Sequence, residues 1–336
     1  MKPMIRESLR VKSSEVSQVF LLTDENVALL WLSETKKRLG VEKAVEIIIK
    51  PGEQYKNLQT VQQIWETLIT HHADRNALLV NLGGGVVTDL GGFAASTYKR
   101  GIKFINIPTT LLAMVDAAIG GKTGIDFGEA KNQIGTFAEA EEVLIDPVFL
   151  ETLPRRETLS GLSEMLKYGF IADADLLNAN LENCQQFIHR AAEIKRGIVA
   201  KDPKEKGLRK ILNFGHTLGH AMESHSITTD HPLLHGEAVA LGMGAALWLS
   251  VEQRGLDAKV LHRYEERLPA LLAEAKINLT DADAILGYLT FDKKNKGGKP
   301  QFVLLEALGK PVWDVEMEPE VVRTALEYVI KKIQDR

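Results

Sequence analysis

A continuous apolar run that ends in three glycines sets the strongest limit on how this chain folds. Residues 77–82 read ALLVNL, and Gly83, Gly84 and Gly85 follow directly. An apolar run without alternating polar positions is typical of a strand buried on both faces, so it predicts an interior strand of a parallel sheet. Because both faces of such a sheet need covering, helices are expected on each side, and one is predicted from Thr88.

Short apolar runs alternate with amphipathic stretches through the rest of the first half. Strands are predicted at residues 19–23, 44–49, 102–107 and 142–145, and helices at residues 26–39 and 59–72. Strand alternating with helix favours an α/β domain with a mostly parallel sheet. The glycine turn does not match the GxGxxG fingerprint of dinucleotide-binding proteins, so we expect a Rossmann-like domain of non-standard form.

The second half has a different pattern, dominated by helical periodicity. Helices are predicted at residues 158–168, 174–200, 212–225, 235–254, 258–275 and 319–334, with one strand candidate at residues 302–305. We therefore expect two domains that meet near Pro154. The first is the α/β domain of residues 1–154, and the second is an all-α, mostly helical domain of residues 155–336.

The charge balance and the lack of a long apolar run argue against several functional classes. The chain has 336 residues, with 41 Lys and Arg against 45 Asp and Glu, and so a net charge of −4. It lacks the basic excess of a nucleic-acid-binding protein. Its start is polar and no apolar run approaches the ~18 residues of a transmembrane helix, so we expect a cytoplasmic protein without membrane association. Cys184 is the single cysteine, which excludes an intrachain disulfide.

The glycine turn itself is a candidate phosphate site. Glycines let the backbone approach a phosphate closely, and the helix that follows offers free N–H donors at its positive end. Asp89, within the same segment, is suited either to the start of the helix or to binding a ribose hydroxyl. The alternative is a plain strand-to-helix turn, which three consecutive glycines make less favoured.

Lysines and an asparagine among glycines form a second candidate site. Lys122 lies in GGKTGID, and Lys131 and Asn132 lie in AKNQIG. We expect these segments to be loops, where binding residues concentrate, and their charge suits a phosphorylated or carboxylate substrate. Arg100 lies nearby in the sequence and adds to this charge. The alternative is that each lysine is simply solvated.

Histidines of the second half form a candidate metal site. His216 and His220 are four residues apart, so on a helix they share one face. His235 opens another predicted helix, and Glu164 lies in a third. A carboxylate and two or three imidazoles from separate helices suit a divalent metal of the zinc kind with an open coordination position. Spacing pairs His216 with His220, and it leaves open which imidazole binds metal and which serves a substrate.

Several long motifs occur in an order typical of one enzyme family. They are GGGVVTDLGGFAASTYKRG, FINIPTTLLAMVDAAIGGKTGID, KNQIGTF, LSGLSEMLKYG, LNFGHTLGHA and HGEAVALGM, and with the DKK of residues 292–294 they span most of the chain. In these motifs the chain resembles the 3-dehydroquinate synthase family, part of the sugar-phosphate cyclases. The resemblance implies a dehydroquinate synthase-like fold and conversion of 3-deoxy-D-arabino-heptulosonate 7-phosphate to 3-dehydroquinate and phosphate, the second step of the shikimate pathway. It also implies NAD, one divalent metal (zinc first, cobalt as an alternative) and a cytoplasmic homodimer.

The resemblance also implies roles for individual residues. Metal would be bound by Glu164, His216 and His235, and His220 would face the substrate instead. NAD would be bound in the first domain by Asp24, Asn26, Glu53, Lys56, Gly84, Gly85, Val86, Asp89, Thr109, Thr110, Lys131 and Thr152. The substrate would be bound by Arg100, Asp116, Lys122, Asn132, Lys167, Lys195, Arg209, Asn213, His220, Lys293 and Lys294. Arg100 would reach the phosphate across a dimer interface. Catalytic roles would fall to Glu205, His220, Lys122 and Lys167.

The implied reaction asks little of protein bases. NAD takes a hydride from the C4 hydroxyl carbon, the new ketone acidifies the neighbouring C6–H, and phosphate leaves and can itself take the proton. NADH then returns the hydride, the ring opens, and an aldol step closes the carbocycle. Orientation and charge stabilisation are the larger requirements, which suits a site rich in Lys, Arg, Asn and His.

Three other functions fit part of the sequence. A sugar-phosphate cyclase of secondary metabolism would share the NAD and metal sites, but the set of Lys195, Arg209, Asn213 and His220 argues for dehydroquinate. A metal-dependent polyol or alcohol dehydrogenase would share the glycine turn, but it has no need of Lys122, Asn132 and Arg209 together. A catalytically silent NAD-binding regulator would have no reason to keep the metal site.

Overall fold

The computed structural model describes residues 16–128, 130–291 and 300–335. Lys293 and Lys294, predicted to bind substrate, lie outside the described residues. The chain forms two compact units, Met1–Leu153 and Pro154–Arg336. Among the described helices, none combines the length and the apolar character needed to cross a membrane.

The first unit is built on a parallel sheet. Its strands are β1 (Val19–Asp24), β2 (Val45–Ile49), β3 (Leu78–Gly83), β4 (Lys103–Pro108), β5 (Lys122–Phe127), β6 (Ala130–Phe137) and β7 (Glu142–Val143). Five of them pair in the order β2-β1-β3-β4-β7, and every pair is parallel. All residues of the central strand β3 are buried, which confirms the interior strand predicted from its apolar run. β5 and β6 form a separate antiparallel hairpin.

Helices of the first unit follow the strands, as the alternating pattern predicts. They are α1 (Glu25–Val27), α2 (Ser33–Leu39), α3 (Leu58–Thr70) and α4 (Gly85–Thr97), with wide π-helical turns at Ala28–Leu32 and Ala113–Ala117 and 3₁₀ turns at Glu53–Tyr55, Tyr98–Arg100 and Pro147–Thr152. Residues of α3 and α4 share a core with the sheet, including Ile64, Leu79 and Leu90. The helix predicted from Thr88 begins earlier, at Gly85. Its first turn consists of glycine and two valines, whose low helix propensity gives no helical signal in the sequence.

The expectation of loops around Lys122, Lys131 and Asn132 is wrong, because these residues lie on the β5–β6 hairpin. A Cβ atom on Gly135 of β6 would lie 2.2 Å from the backbone oxygen of Thr123 in β5. Only glycine therefore permits the two strands to approach so closely. Glycines are typical of loops, but here they permit two strands to pair closely.

The second unit is mostly helical, as predicted. Its helices are α5 (Arg155–Ile171), α6 (Ile188–Lys201), α7 (His216–Ser226), α8 (His235–Arg254), α9 (Ala258–Leu271), α10 (Ala282–Gly287) and α11 (Pro319–Gln334). Between them lie 3₁₀ turns at Ala174–Asn178, Cys184–Phe187, Leu208–Asn213 and Tyr288–Phe291. β8 (Gln301–Ala307) and β9 (Lys310–Glu316) form an antiparallel hairpin, of which the sequence predicted only the first strand.

Two predicted helices begin later than their periodicity indicates. Residues 174–200 do not form one helix, because two 3₁₀ turns precede α6. At their junction, the side chains of Asn180 and Asn183 accept backbone N–H bonds, which competes with helix formation. The helix predicted from residue 212 starts at His216, after Gly215 with a φ of 82°. That left-handed conformation favours glycine and separates α7 from the turn before it.

Candidate active site

Four side chains with metal-binding atoms converge in the second unit. Glu164 comes from α5, His216 and His220 come from α7, and His235 is the first residue of α8. Ligand atoms of the three histidines lie within 4.8 Å of one another. Nε2 of His216 lies 3.4 Å, and Nε2 of His235 lies 3.2 Å, from the same carboxylate oxygen, Oε1 of Glu164. The fold thus gathers the carboxylate and imidazoles that the sequence singled out.

The spacing of these atoms fits a tetrahedral metal. With metal–ligand distances of ~2.0–2.1 Å, two neighbouring ligand atoms of a tetrahedral zinc ion lie about 3.3 Å apart. The contacts from Glu164 to His216 and His235 have this length. Both oxygens of Glu164 are buried. Oε2 contacts an ammonium group, whereas Oε1, which faces the two histidines, receives no well-aligned hydrogen bond from a described residue and so has acceptor capacity that a cation would satisfy. The residues present therefore fit a divalent metal.

The charges around Glu164 keep its carboxyl group ionised. Glu164 is 0% exposed, and burial alone would raise its pKa. Nζ of Lys167 lies 2.5 Å from Oε2 of Glu164, and with His216 it outweighs burial and holds the pKa of Glu164 well below its usual range. Burial lowers the pKa of His216, so its imidazole is neutral at pH 7. An ionised carboxylate and a neutral imidazole are the forms that bind a metal ion.

His235 lies between two carboxylates. Its Nε2 faces Glu164, and its Nδ1 lies 3.2 Å from Oε2 of Glu223, a buried residue of α7. Burial would lower the pKa of His235, but Glu223 and Glu164 outweigh burial and raise this pKa to about 10. Two carboxylates therefore favour a positive charge on this ring, and a cation at Nε2 would supply that charge in place of a proton.

Glycines let the helices come close enough for these side chains to meet. A Cβ atom on Gly236 would lie 2.0 Å from the backbone oxygen of Ser160, and one on Gly242 would lie 1.8 Å from that of Gly215. α8 therefore meets α5 and α7 at backbone distance, which side chains larger than hydrogen would prevent. Oγ of Ser160 also accepts a 3.0 Å hydrogen bond from the N–H of Gly236. These contacts fix the start of α8, and with it His235, beside α5.

A polar loop before α7 brings together several predicted substrate residues. The carboxylate of Asp202 accepts N–H bonds from residues 206, 207 and 209. Arg209 is 2% exposed, and its Nη1 donates to a backbone oxygen of the same loop at 2.6 Å. Nδ2 of Asn213 donates to Oε1 of Glu205 at 2.6 Å. Glu205 has a left-handed φ of 55°, an uncommon conformation that concentrates at functional sites.

Two further predicted substrate residues, Lys167 and Lys195, are buried lysines. Lys167 lies one helical turn after Glu164 on α5, and Lys195 lies on α6. Lysine is seldom buried unless it is paired. Two buried lysines and the buried Arg209, all in the second unit, are therefore suited to a substrate with several negative charges.

In the first unit, the turn between β3 and α4 leaves the start of the helix open. Gly84 is the N-cap of α4, and no described side chain caps this end. A Cβ atom on Gly84 would lie 3.0 Å from the methyl group of Thr110, and the N–H of Thr109 donates to the oxygen of Gly83 at 3.0 Å. The two threonines therefore lie against the turn. Uncapped N–H groups at a helix N-terminus suit a phosphate.

Lys56 connects three residues predicted to bind cofactor or substrate. Its Nζ lies 2.6 Å from Oδ2 of Asp89, 2.7 Å from Oδ1 of Asn132 and 3.9 Å from Oε1 of Glu53. Burial lowers the pKa of Lys56, but Asp89 and Glu53 outweigh burial and raise this pKa above its usual range. The ammonium group therefore stays charged and joins α4 to β6.

The other predicted residues of the first unit occupy separate places. The carboxylate of Asp24 accepts N–H bonds from Asn26 and Val27 at the start of α1, and burial raises its pKa. Oγ1 of Thr152 accepts a 2.7 Å hydrogen bond from Nε1 of Trp31. In the remaining places, Val86 is in the first turn of α4, Arg100 is exposed with a φ of 68°, Asp116 is in the turn Ala113–Ala117, Lys122 starts β5 and Lys131 lies in β6.

Two residues that touch the start of α8 are absent from the set predicted from the sequence. Glu223 contacts His235, and Arg156 forms a bidentate ion pair with Glu237. Glu223 follows His216 by seven residues, a spacing that places both on one helical face and that could have revealed it. Arg156 and Glu237 are 81 residues apart, and no local spacing relates them.

Models of two protein-family domains match adjacent parts of the chain. The one described as 3-dehydroquinate synthase N-terminal matches residues 46–160, and the one described as 3-dehydroquinate synthase C-terminal matches residues 161–295. A 3-dehydroquinate synthase of Parabacteroides distasonis is 40% identical over 333 residues, which cover 95% of this chain and 93% of that protein.

Solved structures of two other synthases have the same fold. A 2-deoxy-scyllo-inosose synthase complexed with carbaglucose-6-phosphate, NAD⁺ and Co²⁺ is 25% identical with a TM-score of 0.83, covering 96% of this chain and 95% of that one. A 2-epi-5-epi-valiolone synthase from Streptomyces hygroscopicus subsp. jinggangensis 5008, with NAD⁺ and Zn²⁺ bound, is 26% identical with a TM-score of 0.85, covering 99% of this chain and 96% of that one. The predicted fold class is confirmed. With both family domains matched over most of its length, the chain belongs to the 3-dehydroquinate synthase family.

Proposed function

We propose that the chain converts 3-deoxy-D-arabino-heptulosonate 7-phosphate to 3-dehydroquinate and phosphate, with one divalent metal and with NAD that is restored in each turnover. The observation that carries this proposal is the convergence of Nε2 of His216 and Nε2 of His235 on Oε1 of the buried Glu164. Family membership supports the reaction, and this geometry supports the assignment of these three residues as metal ligands.

In this proposal Glu164, His216 and His235 bind the metal, and His220 faces the substrate. When bound, the metal polarises the substrate's C4 and C5 oxygens and favours loss of the hydroxyl proton. Three protein ligands would leave the metal open to substrate oxygens, as in catalytic zinc sites, which can become five-coordinate. We propose zinc as the metal because two imidazoles and a carboxylate form a zinc-type donor set, and cobalt as a substitute.

The first unit would bind NAD. The uncapped N–H groups of the turn at Gly84, Gly85 and Val86 would hold its phosphates, and Asp89, oriented by Lys56, would accept a ribose hydroxyl. The other proposed contacts are Asp24, Asn26, Glu53, Thr109, Thr110, Lys131 and Thr152. NAD, when bound, supplies a temporary acceptor for the hydride that leaves C4. Because the hydride is later returned, no net NADH forms.

Cationic side chains would bind and orient the two acidic groups of the substrate. Buried Lys195 and Arg209 are suited to this because charge-assisted bonds are strong where water is excluded. Asn213 orients the carboxylate of Glu205, to which, with His220, we assign proton transfer. The remaining proposed substrate contacts are Asp116, Lys122, Asn132, Lys167, Lys293 and Lys294.

We further propose that the protein acts as a cytoplasmic homodimer in which Arg100 reaches the phosphate site of the other copy. Arg100 is exposed, and it and Lys99 both have left-handed backbone conformations. We expect Arg100→Ala to lose turnover while NAD binding is kept. Mixing it with an inactive His235→Ala variant should restore partial activity, since one mixed site then has both residues; no restoration would refute action across the interface.

The proposal is tested by measuring phosphate release and 3-dehydroquinate formation from the heptulosonate 7-phosphate, with catalytic NAD and zinc. We expect turnover that a chelator abolishes and added zinc restores, without accumulation of NADH. If NAD and metal bind but this substrate gives no product, the proposed reaction is wrong. Heptulose and glucose phosphates, tried next, would then test for another sugar-phosphate cyclase.

A further inference from the structure

Glu223 lies on the side of His235 that faces away from Glu164. It is 5% exposed, and its Oε2 lies 3.2 Å from Nδ1 of His235. Nε2 of the same ring lies 3.2 Å from Oε1 of Glu164. A buried carboxylate is unfavourable unless it is paired or hydrogen-bonded, so its position against this ring nitrogen requires a physical reason.

We infer that Glu223 is a positioning residue of the metal centre, which accepts a hydrogen bond from Nδ1 of His235 and thereby fixes the tautomer and orientation of that ring. This inference rests on the metal centre proposed above. When Nδ1 carries the hydrogen of the neutral imidazole, the lone pair is on Nε2, the nitrogen that faces Glu164. An ionised acceptor at Nδ1 also makes Nε2 a stronger donor to a cation.

His216 has a similar arrangement, in which the acceptor at Nδ1 is an uncharged backbone oxygen. Its Nδ1 lies 3.1 Å from the backbone oxygen of Phe214, and its Nε2 lies 3.4 Å from Oε1 of Glu164. Both rings thus offer Nε2 to the same point while an acceptor holds Nδ1. The acceptor of His216 belongs to the backbone, so of the two acceptors Glu223 is the one that a substitution can remove.

The geometry of α7 explains how Glu223 reaches His235. Glu223 follows His216 by seven residues and His220 by three, so all three side chains lie on one face of the helix. A Cβ atom on Gly219 would lie 3.0 Å from the backbone oxygen of Ala238 in α8. Because the two helices are this close, a glutamate on α7 spans the distance to the first residue of α8.

The test compares Glu223→Gln and Glu223→Ala with a matched control, Glu193→Gln, which removes an exposed carboxylate of α6. Metal-free full-length protein is titrated with Co²⁺ and followed by visible absorption, and zinc affinity is measured by competition with a chromophoric chelator. We expect Glu223→Ala to weaken metal binding ~10–100-fold, as loss of the partners of metal ligands does. Glu223→Gln should weaken binding less, because its amide still accepts a hydrogen bond but carries no charge. Glu193→Gln should bind like the parent protein.

Thermal unfolding of the metal-free proteins separates positioning from a purely structural role. Weaker binding or an altered Co²⁺ spectrum in Glu223→Gln, with an unchanged metal-free Tm, supports the inference. If both Glu223 variants have a lower metal-free Tm but keep the metal affinity and the Co²⁺ spectrum of the parent protein, the inference is overturned. If the parent protein itself binds no Co²⁺, the proposed metal centre fails and the inference fails with it. If the parent binds and both variants bind equally well, only the role of Glu223 is refuted.

Discussion

Lys56 and Asp89 form a salt bridge of 2.6 Å in which the lysine side chain is 5% exposed and the aspartate side chain 19%. The bridge links the residue that follows the 3₁₀ turn Glu53–Tyr55 to α4. Asn132 of β6 accepts a hydrogen bond of 2.7 Å from the same ammonium group. Because solvent screens a withdrawn ion pair weakly, loss of the lysine removes a strong favourable interaction from the carboxylate of Asp89.

We predict that Lys56→Met lowers the free energy of unfolding by about 3 kcal/mol, the low end for breaking a buried ion pair, because Asp89 keeps some solvent contact. NAD affinity should also fall, since Asp89 and Asn132 lose the group that orients them. Lys36→Met is the matched control: Lys36 lies 2.5 Å from Glu46, which is 41% exposed. Its loss should change stability by less than about 1 kcal/mol. Urea unfolding and NAD titration provide the measurements, and equal losses in both variants would contradict the prediction.

Arg156 joins α5 to the segment that precedes His235. Its Nε and Nη2 each lie 2.7 Å from a carboxylate oxygen of Glu237, and Nη2 also donates to the backbone oxygen of Pro232 at 3.0 Å. Glu237 in turn accepts the N–H of Leu234 at 2.8 Å. The guanidinium group therefore holds both the loop and the first turn of α8 in place.

We predict that Arg156→Lys destabilises the chain by about 1–3 kcal/mol, because lysine cannot form two parallel bonds to a carboxylate. Metal affinity should decrease as well, since the start of α8 is less firmly held. Arg190→Lys is the control, because Arg190 makes a 2.8 Å contact with Asp173 and is 63% exposed. It should change stability by less than about 1 kcal/mol. Thermal unfolding and Co²⁺ titration measure the two effects, and unchanged metal affinity in Arg156→Lys would show that the ion pair serves stability alone.

Asp202 makes the stability of the loop before α7 depend on pH. Backbone N–H groups of Lys206, Gly207 and Arg209 bond to its carboxylate and lower its pKa below the usual 3.8. Because the folded pKa is lower than the unfolded pKa, the stabilisation is present above pH 3.8 and is lost as the pH falls through the folded pKa.

We predict that Asp202→Asn unfolds at a lower urea concentration than the parent protein at pH 7. The difference should shrink as the pH falls below 3.8 and through the lowered pKa of Asp202, where the parent loses the same charge. Asp230→Asn removes an exposed carboxylate and controls for net charge. A difference between Asp202→Asn and parent that stays constant with pH would mean that the ionised carboxylate is not the stabilising form.

Where the sequence carries a chemical start or stop signal, helix bounds were predictable. α8 and α11 have the predicted bounds, because Gly255 ends α8 with a φ of 73° and Pro319 stands in the first turn of α11. β3 was predictable from its apolar run, since full burial removes the need for polar positions. The β5–β6 hairpin was not predictable from the sequence. Its glycines permit two strands to approach closely, and this pairing is visible only in the folded structure.

The candidate metal site was predictable only in part. Local spacing reveals that His216 and His220 share a face, but it does not reveal that His216 and His235 both approach Oε1 of Glu164. Those residues lie on three helices, and their meeting depends on glycines at the helix crossings. Long-range packing of this kind leaves no periodic signal, so family resemblance rather than spacing named this set.

Gly242 and Gly197 both lie within helices but differ in their surroundings. A Cβ atom on Gly242 would lie 1.8 Å from the backbone oxygen of Gly215, whereas no described atom lies within 4 Å of one on Gly197. We predict that Gly242→Ala destabilises the chain by about 1–3 kcal/mol, because α8 must move away from α7. Gly197→Ala should stabilise it by about 0.5–1 kcal/mol, because alanine loses less conformational entropy on folding.

Metal binding distinguishes the two glycine variants further. Movement of α8 away from α7 separates His235 from His216, so Gly242→Ala should bind Co²⁺ more weakly than the parent protein, while Gly197→Ala should bind it equally well. Thermal unfolding of the metal-free proteins and Co²⁺ titration test both statements. A stabilising effect of the same size in both variants would show that helix propensity, and not the close crossing of α7 and α8, decides the response to substitution at Gly242.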